Sequence, residues 1–176
     1  REIFISGVKE ILGIEPEVIP GTEEAALSFL GATKELKHAQ TPYLVVDIGG
    51  GSTEFVFGED EVKFSRSVDI GCVRMAERHL KVSPPKPLDV QKAIVDIDKA
   101  IHQAEALVPI KEAQTLIAVA GTATTVAAAA LDLDSYDRHA IHLSRIPAQK
   151  VLEIAQRFQL MNRDEITALP YMHPGR

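Results

Sequence analysis

Two short apolar runs separated by glycine constrain this chain more than any other feature. In Tyr43-Leu-Val-Val-Asp-Ile-Gly-Gly-Gly-Ser-Thr-Glu-Phe-Val-Phe57, the run Leu44 to Val46 reads as a buried strand ending in a carboxylate, Asp47. Gly49-Gly50-Gly51-Ser52-Thr53 follow, and a second apolar run covers Phe55 to Phe57. Strand, glycine turn and strand describe a hairpin whose tip carries no side chain to obstruct a ligand. Consecutive N–H groups in such a turn can converge into a nest for an anion, with the hydroxyls of Ser52 and Thr53 as further donors. Asp47 and Glu54 flank the nest. Bare carboxylates repel an anion, so the combination points to a polyphosphate held with a divalent cation. A tight hairpin without a ligand is the alternative, because a short glycine motif is weak alone. No G-x-G-x-x-G leads into a helix and no Gly-Lys-Ser/Thr is present, which excludes the dinucleotide and Walker patterns.

A second glycine turn follows another apolar run. Leu116 to Ala120 reads as a strand and Val126-Ala-Ala-Ala-Ala-Leu131 as a helix, which places Gly121-Thr122-Ala123-Thr124-Thr125 at the junction between them. The first N–H groups of a helix lack internal partners and its dipole favours an anion there. Capping is the competing role for each threonine. Near the start, Val18-Ile19 reads as a short strand that runs through Pro20-Gly21 into a helix. Thr22 is its expected N-cap, with Glu23 and Glu24 in the first turn, where carboxylates complement the dipole.

Glu17-Val-Ile-Pro-Gly-Thr-Glu-Glu-Ala25, Val45 to Glu54, Gly71-Cys-Val-Arg74, Ala120 to Thr125, Ser135-Tyr-Asp137 and His173-Pro-Gly-Arg176 occur in that order. With these motifs the chain resembles the second domain of the exopolyphosphatase/guanosine pentaphosphate phosphohydrolase family. That family belongs to the actin, hexokinase and sugar-kinase superfamily. The resemblance implies an α/β, ribonuclease H-like (actin-like ATPase) domain: a mixed sheet containing the hairpin, with helices on both faces. It implies that residues 1–21 supply the closing helix and strand of a first domain otherwise missing here. Residues 22–176 would be the second domain without its C-terminal end, and the isolated fragment would be inactive, holding half of an inter-domain cleft.

By the same resemblance Glu24 matches the general base that activates the attacking water, whereas Glu23 matches a less constrained position. Asp47 and Glu54 match acids that hold Mg2+ or its waters. Gly49, Gly50, Gly51 and Ser52 match the phosphate loop, with Thr53 beside them, and Gly121, Thr122 and Thr124 match the second one. Cys72 and Arg74 are weaker binding candidates. A buried small hydrophobe is the ordinary role for a lone cysteine such as Cys72, and an ion pair with Glu77 is the ordinary role for Arg74. His139 and His142, three residues apart, have no evident third metal ligand, so surface or capping roles are expected. The family often reads Val-His-Gly where this chain has Ile141-His142-Leu143. The implied activity is release of terminal orthophosphate from inorganic polyphosphate, or from guanosine pentaphosphate or tetraphosphate. A homodimer is implied for the full-length protein. Two alternatives stay open: a non-catalytic polyphosphate or alarmone sensor, and a kinase or actin-like filament protein sharing only the fold.

At 176 residues and a formal charge of −6, the chain fits one core-forming domain, and Lys and Arg form no run. Nucleic-acid binding is therefore not expected. No apolar stretch approaches membrane-spanning length, and a cytoplasmic location is expected. The single cysteine permits no internal disulfide. Elsewhere, Arg1 to Leu12 reads as an amphipathic helix closed by Gly13, and Lys63 to Asp69 as a third strand. Gly71 to Leu80 reads as a short helix, and Leu88 to Val108 as a long one with Val90, Ala93, Ile94, Ile97 and Ile101 inward. Ile146 to Phe158 is a further helix, and Asn162 is expected to cap a last one ending near Pro170.

Overall fold

In the computed structural model, which describes residues 2–172, the two apolar runs pair as read. Strand β1 (Tyr43–Ile48) lies antiparallel to β2 (Thr53–Gly58), with Leu44 opposite Phe57, Val46 opposite Phe55 and Asp47 opposite Glu54. β3 (Val62–Val68) continues the meander on the far side of β2. β4 (Thr115–Val119) pairs parallel to β1, giving a four-stranded mixed sheet of order β3-β2-β1-β4. Antiparallel neighbours need only a tight turn, whereas the parallel pair needs a long helical crossover, which residues 69–114 supply.

The central strands are apolar on both sides, so both faces must be covered. Leu44, Val46, Phe55 and Phe57 face Ala100 and Ala104 of helix α4 (Pro87–Glu105), with Val108 just beyond it. Met75 of α3 (Cys72–His79) joins this cluster. Tyr43, Val45 and Val56 face the opposite way, onto Ala25 and Phe29 of helix α2 (Gly21–Thr33). The alanines of α4 let its backbone settle close to the sheet. The stripe it buries runs through Ala93, Ile97, Ala100 and Ile101, and Ile94, read from the sequence as part of that stripe, is instead 40% exposed.

Beyond β4, helix α5 (Ala120–Ala130) packs against α6 (Arg138–Ile141) and α7 (Ala148–Leu160) through Ala128, Ala129, Ile141 and Ile154, with Tyr171 closing the cluster. Tyr171 is held in turn by Arg157, whose Nη2 donates to its hydroxyl at 2.8 Å. Asn162 caps α8 (Arg163–Thr167) in a reciprocal box with Glu165, as expected, although this helix closes before Pro170.

The N-terminal segment departs from expectation in two places. Helix α1 (Glu2–Leu12) ends at Gly13 as read, with φ +69 there and Gly13 N–H donating to the Lys9 carbonyl. None of its residues is buried, and Ile3 is 91% exposed. Val18 and Ile19, however, form no strand, because no described strand lies beside them to complete a ladder. Thr22 is not the N-cap of α2 either. The N-cap is Pro20, two residues earlier, so the helix starts at Gly21, and the carbonyl of Pro20 accepts from the amides of Glu23 and Glu24. Glu23 and Glu24 do lie in its first turn.

Phe29 is the large side chain that joins α2 to the sheet, at 2% exposure. Replacing it by alanine is expected to lower stability by about 3–5 kcal/mol, measured by urea denaturation of the complete gene product.

Candidate active site

The connection between β1 and β2 is closed by Gly49 N–H donating to the Ser52 carbonyl at 3.0 Å. Its remaining carbonyls point the same way. Those of Gly49, Gly50 and Gly51 accept from the amides of Cys72 (2.9 Å), Arg74 (3.0 Å) and Gly71 (3.2 Å). These donors belong to the N-cap and first turn of α3, groups that have no partner within their own helix. One face of the glycine loop is thus fully engaged. Among the described residues, no backbone carbonyl accepts from the amides of Gly50, Gly51 or Ser52, and these line the opposite face. That is the donor arrangement an anion nest requires.

Gly71 is what allows the contact. A Cβ there would lie 2.3 Å from the carbonyl carbon and oxygen of Gly50 and 2.4 Å from the amide nitrogen of Gly51. Its φ of −75° is open to any residue, so the requirement is space and not conformation. Thr53, expected to offer its hydroxyl to the anion, is instead buried and donates to the Ile70 carbonyl at 3.0 Å. It pins the segment before α3 to the start of β2. Cys72 is exposed, against the buried role ordinary for a lone cysteine. Arg74 pairs with Asp69 at 3.0 Å and not with Glu77, and its Nη2 lies 3.5 Å from the position a Gly51 Cβ would take.

Asp47 and Glu54 face each other across β1 and β2, and Ser67 of β3 lies opposite Glu54. Each sits two residues from Val45, Val56 or Ser65, so the alternation of strands puts all three on the face that α2 covers. Glu24, in the first turn of α2, reaches the same region. Burial holds the Asp47 carboxyl above the ordinary aspartate range, and the charges of Glu54 and then Glu24 add to the effect. Ser67, which the sequence reading did not single out, donates from Oγ to Glu54 Oε1 at 2.6 Å. Its only sequence signal is its register opposite Glu54, and register is invisible before the hairpin is paired.

Among the described residues no three His, Cys, Asp or Glu side chains converge as a ready metal cage. Mg2+ does not require one, since it takes one or two carboxylates, keeps several waters and completes its shell with phosphate oxygens. Asp47 and Glu54, hard oxygen donors repelling one another beside an open nest, fit that ion.

The second glycine segment lies elsewhere in its helix than expected. Helix α5 begins at Ala120, so Gly121 to Thr125 form its first turns and do not precede it. Ala120 takes the left-handed φ of +66, which bends the chain from β4 straight into the helix. Thr124 and Thr125 turn their hydroxyls back onto the Gly121 carbonyl at 3.2 and 2.9 Å. Because β4 runs parallel to β1, Val119 stands beside Asp47, and the N-terminus of α5 rises at the same sheet edge as the Gly49–Ser52 loop. Carboxyl ends of parallel strands are where ligands bind in α/β sheets.

His139 and His142 take the surface and capping roles expected. Asp137 caps α6 by accepting from the amides of His139 and Ala140, and His142 Nε2 meets Glu35 Oε2 at 2.9 Å on the exposed surface. Leu143, where the resembled family carries glycine, has φ +57, a conformation that favours glycine. His173 and the rest of the His-Pro-Gly-Arg motif lie outside the described residues.

Residues 1–176 match the Ppx/GppA phosphatase family. The chain belongs to that family. It is 46% identical to exopolyphosphatase 2 of Mycobacterium tuberculosis over all of its own length and 57% of that protein's. It is 39% identical to the guanosine-5'-triphosphate,3'-diphosphate pyrophosphatase of Photobacterium profundum over 65% of this chain and 22% of that one. Among solved structures, an exopolyphosphatase-like protein superposes with a TM-score of 0.93 at 42% identity, covering 99% of this chain and 57% of the other. The Aquifex aeolicus PPX-GPPA enzyme gives 0.78 at 28% identity, covering 93% and 53%. The fold is the actin-like ATPase fold of these Ppx/GppA structures. The chain therefore spans little more than half the length of the relatives it matches most extensively.

Two outcomes are expected from this geometry. Gly71→Ala should lower the melting temperature, losing about 1–3 kcal/mol or more through overpacking against loop backbone. Gly50→Ala, whose Cβ would only touch Val73 at 3.4 Å, should melt near the parent. For Asp47, a raised folded-state pKa means that its ionised form opposes folding. The penalty is full above the folded pKa and disappears as pH falls below the unfolded value of about 3.9. In metal-free buffer, Asp47→Asn should therefore melt higher than the parent at pH 7, and the gap should close below about pH 4.

Proposed function

We propose that this chain forms one wall of a phosphohydrolase site that releases terminal orthophosphate from inorganic polyphosphate or guanosine pentaphosphate. The observation that carries the reading is the glycine loop. Its carbonyls are engaged by α3, which turns its amides to the other side, and Asp47 and Glu54 stand at the strand ends flanking it, with Glu24 close enough to act on Asp47. The names of the relatives support polyphosphate and guanosine pentaphosphate as the substrate class, and guanosine tetraphosphate is proposed as a further ligand.

In this reading the terminal phosphoryl group rests in the nest, its oxygens accepting from the amides of Gly50, Gly51 and Ser52. The first turn of α5, with Gly121, Thr122 and Thr124, receives the next phosphate. The Arg74 guanidinium, which is held by an exposed ion pair with Asp69, turns to the anion. Glu24 takes the proton of a water attacking the terminal phosphorus, the bond to the bridging oxygen breaks, and the shortened chain leaves. Asp47 and Glu54 would hold Mg2+ or its waters, and the bound ion would neutralise phosphate oxygens as charge shifts to the leaving group. No nucleophilic side chain is needed, since phosphoryl transfer rests on positioning and electrostatics. The other wall of the cleft would come from sequence that the relatives carry outside the matched stretch. The complete gene product is proposed to be a cytoplasmic homodimer.

Glu24→Gln in the complete gene product should cut orthophosphate release from long-chain polyphosphate in Mg2+ by at least about a hundredfold, the usual share of a positioned base. Near-parent turnover would remove Glu24 from that role. A parent that frees no phosphate from polyphosphate or from guanosine pentaphosphate would overturn the hydrolase reading.

A further inference from the structure

We infer that Ser67 is a positioning residue for the acidic site, fixing the Glu54 carboxylate so that Glu54 and Asp47 together receive one hydrated divalent cation. The inference rests on the hydrolase reading only for the identity of the cation; the contact itself is in the fold. Glu54 stands in the middle of a cross-strand row, with Asp47 on one side and Ser67 on the other. Directly opposed like charges repel, and left alone the Glu54 side chain would rotate away from Asp47 into solvent. The Ser67 hydroxyl prevents this. It donates to Oε1 at 2.6 Å, the length of a charge-assisted O–H···O⁻ bond, and among the described residues no hydrogen bond or ion pair engages Oε2.

Ser67 is itself held in place. Val68, next in the chain, is buried in the core, and Ile70 accepts the hydrogen bond of buried Thr53. Gly71 then presses on Gly50 and Gly51. One continuous segment, residues 67–71, thus sets the carboxylate of the cation site and the backbone of the anion nest together. The fold has little need of the Ser67–Glu54 bond for stability, because both partners are accessible to water and such bonds contribute little there. Its consequence falls on the site. Partners that orient a ligating carboxylate typically alter metal affinity by ten- to a hundredfold when removed.

The test uses the complete gene product as parent, Ser67→Ala and Ser67→Thr, with Mn2+ as probe. Mn2+ binding without substrate is read by electron paramagnetic resonance, and orthophosphate release from polyphosphate is followed across a Mg2+ titration. Ser67→Ala should bind Mn2+ about ten- to a hundredfold more weakly. It should need correspondingly more Mg2+ for half-maximal release, recover near-parent kcat at saturating Mg2+, and keep the parent melting temperature. Ser67→Thr retains the hydroxyl and should follow the parent. Parent-like Mn2+ affinity in Ser67→Ala, loss of affinity in Ser67→Thr as well, or no Mn2+ binding by the parent would each overturn the inference. Weakened Mn2+ binding in Ser67→Ala, beside a parent that frees no phosphate, would uphold Ser67 and refute the hydrolase reading. Hydrolysis whose Mg2+ dependence ignores Ser67 would do the reverse.

Discussion

Everything at this site depends on the seating of α3 against the glycine loop. A helix N-terminus presents amides that need acceptors, and a glycine turn presents carbonyls that need donors. Gly71 brings the two within hydrogen-bonding range because it has no Cβ to keep them apart. The contact satisfies both sets of groups and in doing so gives the loop a direction. With three successive carbonyls turned toward α3, the amides can only look the other way. A loop with the same glycines but no helix behind it would have no fixed face, and a nest that reorganises on binding loses affinity to the entropy of ordering. Thr53 serves the same end by anchoring the approach to α3 from the base of β2.

The sheet supplies the second constraint. Antiparallel pairing puts Asp47, Glu54 and Ser67 in one row, and parallel pairing of β4 with β1 brings α5 to the end of that row. Two acids beside one another, with Glu24 approaching from α2, make an arrangement that opposes folding through the Asp47 charge. Such a concentration of like charge beside the glycine loop is not a structural ion pair, and it marks a candidate functional site. The surrounding core offsets the penalty: both faces of the hairpin are covered, by α4 on one side and α2 on the other.

Much of this was legible in the residues. The hairpin, the third strand, the Gly13 helix end and the Asn162 cap follow from local patterns, the mixed sheet with helices on both faces follows from the family resemblance, and all appear where read. The misreadings share a cause. Val18-Ile19 has strand-like residues but no neighbouring ladder. Thr22 is a good capping residue, yet the Pro20 carbonyl starts α2 before it. Gly121 to Thr125 resembles a turn, but a left-handed Ala120 performs the turn instead and leaves those residues helical. Ile94 fits an ideal stripe, whereas the alanines of α4 decide which side meets the sheet.

The sequence by itself determined the chemistry available: glycines and hydroxyls able to meet an anion, three acids able to serve as a base or to hold a cation, and no cysteine set of metal-binding spacing. Alternation and glycine placement are local, so they survive without knowledge of the fold. Only the tertiary structure decided which face of the loop opens, that Thr53 is an anchor and Arg74 a neighbour of Gly51, and that Ser67 holds Glu54. Each of those facts joins residues well separated along the chain, Thr53 with Ile70 and Gly50 with Gly71 among them. Contacts of that kind are set by strand register and by how closely a helix can approach, and neither is written in any short stretch of residues.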